Sequence, residues 1–250
     1  MKTVVFSGTA DGRALCEWLT AEGADVTVCV ATEYGASLMK GARVRAGRLG
    51  CEEMKDVIRG CSVVIDATHP YAEKASENIA SACAECGAEY LRLLREETPC
   101  PGAVLAESVR GAAEFLRDKD GYVFVSTGSK ELHEFAPIGS RVRARALDTA
   151  EVRKRCGSLG LDRMIYKDPP FSYEDDIRDM RGCRWLVTKD GGRAGGTETK
   201  LRAAKALGMD VIVIKRPQEP RGGLVYGEMK RYLAERIGGA AEDEDKSGQP

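Results

Sequence analysis

A chain of 250 residues, 43% hydrophobic and 31% charged, has the material for a buried core and the length for two domains. Its 38 basic and 39 acidic residues leave a net charge of −1, which argues against nucleic acid or a membrane surface as partner. No apolar run reaches the roughly 18 residues of a spanning helix, and the start at Thr3-Val4-Val5-Phe6 is strand-like rather than leader-like, so the expected location is the cytoplasm.

Strand and helix alternate along the chain. The spacing predicts a strand over 2–7, a glycine turn over 8–12 and a helix over 13–22, then strands at 25–30 and 42–46 and a helix near 52–59. A buried strand over 63–67 runs into Asp66-Ala67-Thr68-His69-Pro70-Tyr71, where Pro70 disfavours helix at His69 and holds the turn open. A helix over 72–87 follows, then strands at 89–93 and 103–106, a helix over 109–119 and a strand at 122–126. The pattern begins again with strands at 141–145, 163–166, 184–188 and 211–215. The intervening helices are expected at 148–156, capped by Asp148, at 173–180, capped by Ser172, and at 198–207. A last helix near 228–237 precedes an acidic, apolar-poor segment, 238–250, expected to be disordered. Such alternation means mainly parallel sheets with helices on both faces. The expected division is a first domain over 1–128 and a second over 129–237, with no fixed-period repeat.

Nine cysteines, an odd number, argue for free thiols. Cys83 and Cys86 form a C-x-x-C, but within a helical stretch and with only His69 and His133 as histidines, so no metal site is expected.

Four strand-exit loops carry candidate chemistry, because open parallel sheets bind ligands beyond their strands' carboxyl ends. The first, Gly8-Thr9-Ala10-Asp11-Gly12-Arg13, offers amides and a helix N-terminus to a phosphate, with Arg13 as a cation, though it is not a G-x-G-x-x-G. The second is the cluster Asp66, Thr68, His69 and Tyr71. The third, Ser126-Thr127-Gly128-Ser129-Lys130, offers hydroxyls and amides. The fourth, running from Lys189-Asp190-Gly191-Gly192-Arg193 to Gly196, suits an anion held by backbone amides. Beside the second strand, Glu33 would favour NAD, whereas Arg43, Arg45 and Arg48 suit the extra phosphate of NADP; a solvated face is the plain alternative.

The stretch from Ile65 to Ala72 resembles the central motif of the precorrin-6A reductases, and matching blocks lie over nearly the whole chain. They are Gly8-Thr9, Thr127-Gly128, Pro170-Phe171-Ser172 with Glu174, Thr188-Lys189-Asp190 with Gly195-Gly196 and Lys200, Ala203-Ala204, and Lys215-Arg216-Pro217. Asp176 stands where the family pattern leads one to expect asparagine.

The resemblance implies two Rossmann-like domains with the site in the cleft between them. It also implies reduction of a ring double bond of precorrin-6A, or of its cobalt form, by NADPH plus a proton. The expected cofactor residues are Gly8, Thr9, Asp11, Gly12, Arg13, Arg43, Arg45, Thr68, His69, Pro70, Thr127 and Gly128. Substrate carboxylates are expected at Ser172, Lys189, Asp190, Gly191, Arg193 and Lys200, with Arg143, Arg145 and Lys167 as further cations. His69, Tyr71 or Lys200 would deliver the proton. The expected partner is a small-molecule tetrapyrrole, with a monomer favoured. A tetrapyrrole-pathway synthase, a glycosyltransferase and a nucleotide-binding regulator are the alternatives, since such domain pairs serve all three.

Overall fold

A computed structural model of the chain describes residues 1–161, 163–192, 195–217 and 222–246, with side chains described to residue 237. The chain forms two compact units, Met1–Glu96 with Pro217–Pro250, and Glu97–Arg216. Each holds one six-stranded sheet whose strand pairs are all parallel.

The first unit contains β1 (Lys2–Ser7), α1 (Ala10–Ala21), β2 (Asp25–Val30), α2 (Glu33–Ser37), β3 (Arg43–Ala46) and α3 (Cys51–Ile58). It continues with β4 (Val63–Ala67), α4 (Glu73–Cys86) and β5 (Glu89–Leu94). The second contains β6 (Val104–Ala106), α5 (Val109–Phe115), β7 (Val123–Ser126), a 3₁₀ segment (Leu132–Arg141) and β8 (Val142–Ala146). After these come α6 (Ala150–Gly157), β9 (Arg163–Tyr166), α7 (Tyr173–Met180), β10 (Trp185–Lys189), α8 (Thr197–Ala206) and β11 (Asp210–Ile214). The chain then returns to the first unit with β12 (Leu224–Val225) and α9 (Tyr226–Lys246).

Sheet order is β12-β5-β4-β1-β2-β3 in the first unit and β6-β11-β10-β7-β8-β9 in the second. The inner orders β5-β4-β1-β2-β3 and β11-β10-β7-β8-β9 correspond, while the edge strand comes last in chain order in the first unit (β12) and first in the second (β6). In both, the chain reverses direction between two central strands, β1 and β4 in one, β7 and β10 in the other. These switch points are where parallel sheets take ligands.

Period-two alternation divides each sheet between two cores. Val5, Val63, Ile65, Leu91 and Leu93 join one cluster with Leu15 and Leu19 of α1 and Met229 and Leu233 of α9. Val4, Phe6 and Val64 join the opposite one, with Met54 and Ile58 of α3 and Ile79 and Cys83 of α4. Asp66 shares parity with Val64, and Tyr90 and Arg92 share parity with each other, so a polar group is built into the α4-facing side. In the second unit Phe124, Leu186, Met180 and Ala203 form the core beneath α7 and α8.

Three expectations are corrected. The boundary lies at Glu96–Glu97, not near residue 128, because β6 pairs with β11 and β7 with β10, which places both in the second sheet. The segment expected to be disordered from 238 continues α9 to Lys246, while 247–250 lie outside the described residues. Thr149, not Asp148, caps α6: its side chain accepts from the Val152 amide, while Asp148 pairs with Arg153. Ser172 caps α7 in a reciprocal box with Asp175. Cys83 and Cys86 are free thiols, and burial pushes Cys83 up to about 12, the state of an inert apolar filler. No helix of the described residues is long and apolar enough to cross a membrane.

Candidate functional site

In the first unit the loops after β1 and β4 meet. Thr9 caps α1, its hydroxyl accepting from the Gly12 amide at 3.1 Å and donating to the Ala67 carbonyl at 3.0 Å. One side chain therefore fixes both the helix start and the end of β4. Gly12 sits inside the first turn of α1, where a Cβ would lie 2.7 Å from Ser7 Oγ and 2.9 Å from Ala67 Cβ. Only glycine lets this helix start come so close to the strands. The Ser7 hydroxyl is buried with no hydrogen-bond partner, a costly state for a polar group. The first amides of α1 have no acceptor within the helix, and Arg13 has no side-chain partner among the described residues. Asp11, one of the expected cofactor residues, pairs with Arg95 Nε at 2.9 Å.

The turn after β4 is held from behind. Asp66, fully buried, accepts from the Thr68 amide at 3.0 Å, the Thr68 hydroxyl at 2.7 Å and Arg92 Nη1 at 2.9 Å through Oδ1. Its Oδ2 accepts from the Tyr90 hydroxyl at 2.9 Å. Burial and the Asp66 charge push the Tyr90 pKa up, so this phenol remains a donor. Arg92 also donates to the Thr68 carbonyl at 3.2 Å. The cause is register: Asp66 is the parallel-ladder partner of Arg92, and Val64 of Tyr90. Thr68, half-buried, is thereby locked, with Ser76 of α4 a further 3.3 Å contact. Next in line, His69 Nδ1 lies 3.4 Å from the Tyr71 amide, and the two rings stand 5.5 Å apart. Pro70 is buried behind them, stiffening the turn rather than presenting a contact.

Four predicted cofactor residues lie outside these two loops. Arg43 pairs with Asp25 at the amino end of β2, so its guanidinium is held away from the ligand-binding edge. Arg45, one pleat further on, lies 3.8 Å from Glu53. Thr127 and Gly128 belong to the second sheet, at its own switch point. There the Thr127 hydroxyl is buried without a partner, and Gly128 takes a φ of 85° that glycine adopts freely.

The second unit's loop after β10 differs from the expected anion cradle. The Gly191 amide donates to Thr197 Oγ1 at 2.9 Å and the Gly192 amide to Asp190 Oδ1 at 2.9 Å. The amides are thus used within the loop, and Gly191 is a structural element. Asp190 also accepts from the Thr98 amide at 3.1 Å and pairs with Arg216 at 2.8 Å. Burial opposes ionisation of Asp190, but those amides and Arg216 win and hold its carboxyl below the usual range. Asp190 therefore braces the loop. Arg193 lies outside the described residues. Ser172 is occupied as the α7 cap, its hydroxyl accepting from the Asp175 amide at 3.1 Å.

The predicted cations separate into two kinds. Arg143 donates to the carbonyls of Asp179 and Arg181 at the end of α7, and Lys167 pairs with Asp175. Arg145, 4% exposed at its side chain, holds Asp176 at 2.7 Å and Asp179 at 3.1 Å. Lys189 pairs with Glu131. Lys200 is buried on α8 and donates to Thr188 Oγ1 at 3.0 Å, with no ion pair among the described residues. Burial, then the charge of Arg145, lowers its pKa to about 8 against Asp176 and Asp190.

Tyr90, Arg92 and Arg95 escape a reading of the sequence, and Arg216 enters it only within the Lys215-Arg216-Pro217 block, without its role as the partner of Asp190. The signal for two of them is present: Tyr90 and Arg92 alternate with Leu91 and Leu93 along β5.

The family model for "Precorrin-6x reductase CbiJ/CobK" matches residues 2–234. A cobalt-precorrin-6A reductase of Priestia megaterium is 35% identical over 245 residues, covering 92% of this chain and 96% of that protein. A precorrin-6A reductase of Rhodococcus erythropolis is 31% identical, covering 88% and 90%. Among solved structures, the CobK precorrin-6A reductase superposes with a TM-score of 0.80 at 28% identity, covering 94% and 96%.

Proposed function

The chain belongs to the precorrin-6x reductase family and is an oxidoreductase of corrin-ring biosynthesis, and from that premise we propose that it reduces a ring double bond of precorrin-6A, or of its cobalt form, with NADPH. The observation that carries the cofactor assignment is the first unit's switch point. A helix start whose first amides lack acceptors within the helix, a Gly12 that lets it pack close to the strands, and an Arg13 with no side-chain partner among the described residues fit a diphosphate there. NADPH, when bound, supplies the hydride.

The chain's own residues bind, orient and move a proton. Gly8, the first amides of α1 and Arg13 hold the phosphates, while Thr9 and Gly12 shape the turn through their own bond. Thr68 and His69, fixed through Asp66 and Arg92, orient the reacting end, with His69 as a donor. Lys200 holds a substrate carboxylate and supplies the proton, the role its depressed pKa suits. Tyr71, its ring tilted against that of His69, shapes the turn.

Selection of the 2′-phosphate rests on Arg45 and on exposed Arg48 beyond β3, since Arg43 is committed to Asp25. NADPH is expected to bind more tightly than NADH, and Arg48→Ala to narrow the gap by about tenfold, the loss of a charge-assisted contact at an exposed site. Fluorescence titration of both nucleotides checks this. Equal affinities in the parent protein would contradict it.

A further inference from the structure

A buried lysine is rare without a paired acid, and Lys200 has three N–H donors with Thr188 Oγ1 as its hydrogen-bond acceptor at 3.0 Å. Acids are nonetheless close by. Asp176 of α7 and Asp190 of the loop after β10 both act on the Lys200 charge, as does Arg145 of β8. Each of these acids is claimed by an arginine. Arg145 Nη2 holds Asp176 Oδ1 at 2.7 Å and Arg145 Nη1 holds Asp179 Oδ2 at 3.1 Å. Arg216 holds Asp190 at 2.8 Å.

The Arg145 guanidinium is itself clamped, 3.9 Å from the Phe171 ring centroid and 5.4 Å from that of Phe124. Asp176 and Asp179 lie three residues apart on α7, so they present both carboxylates to one fork. Lys200 is left next to acids it does not pair with.

We propose that Arg145 is a positioning residue for the reaction: by holding Asp176 and Asp179 it keeps the Lys200 ammonium without an internal counter-ion, reserved for a carboxylate of the substrate. The inference rests on the reductase reading for the identity of that carboxylate. The arrangement accounts for the lowered Lys200 pKa and for the raised pKa of Asp176, where burial prevails over its pairing with Arg145. It also gives opposite signs to two substitutions. Arg145→Met removes a like charge and frees Asp176 to pair with Lys200, so the lysine pKa rises. Asp176→Asn keeps a hydrogen-bonding partner for Arg145 but removes an opposing charge, so the lysine pKa falls.

The test is a ¹³C NMR titration of the full-length protein labelled at lysine Cε, with the Lys200 signal assigned through Lys200→Arg. Steady-state KM for precorrin-6A and NADPH affinity are measured beside it. The parent lysine is expected to titrate near 8, below the usual lysine range, because of its burial and the charge of Arg145. Arg145→Met raises that midpoint by about one pH unit or more, raises KM for substrate about tenfold and leaves NADPH affinity unchanged. Adding Asp176→Asn to Arg145→Met brings midpoint and KM back toward the parent values, a rescue that a merely structural arginine does not show. If Arg145→Met does not fold, Asp176→Asn alone decides by its downward shift. An unmoved or oppositely moved Lys200 midpoint overturns the proposal. A midpoint that moves as expected with an unchanged KM overturns the assignment of this ammonium to substrate, while turnover with NADPH judges the reductase reading separately.

Discussion

Asp66→Ala is expected to destabilise the protein by about 3–5 kcal/mol, the usual cost of stripping one partner from a buried ion pair. Arg92, 3% exposed, would be left without its carboxylate, and Tyr90 and the Thr68 amide would lose their acceptor. For a chain of this size that corresponds to roughly 10 °C in melting temperature. NADPH affinity falls with it, because the Thr68–His69 turn is shaped by the same carboxylate. Asp66→Asn keeps one acceptor oxygen and costs less. His69→Ala is the contrast: the side chain is only half-buried, so melting stays within a degree or two while turnover drops. Calorimetry beside steady-state rates checks both. An Asp66→Ala protein that melts like its parent would show that the network is incidental.

Lys200→Met should lower kcat/KM for the macrocycle ten- to a hundredfold, since a hydrogen bond from a charged donor is worth about 1.5–3 kcal/mol. Binding of NADPH should be unaltered, because the first unit holds the proposed cofactor residues. The parent enzyme also has a predictable pH dependence. Holding a carboxylate and giving a proton both need the protonated lysine, whose pKa is lowered to about 8. Activity is therefore full below that pH and declines as pH rises through it, and the basic limb disappears in Lys200→Met. Profiles of kcat/KM from pH 6 to 10 test this; a limb that survives the substitution belongs to another group.

Much of the fold was legible. Apolar runs such as Val63-Val64-Ile65 and Val211-Ile212-Val213-Ile214 could only be buried parallel strands, and Ser172 announced the start of α7. The domain boundary was not legible, because β6 and β7 read as a continuation of the first alternation. Only pairing of β7 with β10, 62 residues later in order, and of β6 with β11, 108 residues later, assigns them to the second sheet. The central loop was found from its crowded polar residues, among them Asp66, which accepts from the Thr68 amide of its own turn. Its larger partner, Arg92, depended on the β4–β5 register, which residue type alone does not set. The glycine-rich loop misled for a related reason. Glycine signals backbone freedom, but Asp190 and Thr197 take up the amides that freedom exposes.

The most direct measurement is anaerobic incubation of the purified protein with NADPH and precorrin-6A, or its cobalt form, followed by visible absorbance. The account predicts loss of the substrate chromophore with one NADPH oxidised per ring reduced, abolished when NADPH is omitted. Tight NADPH binding with an unchanged chromophore for both forms of the substrate would contradict it.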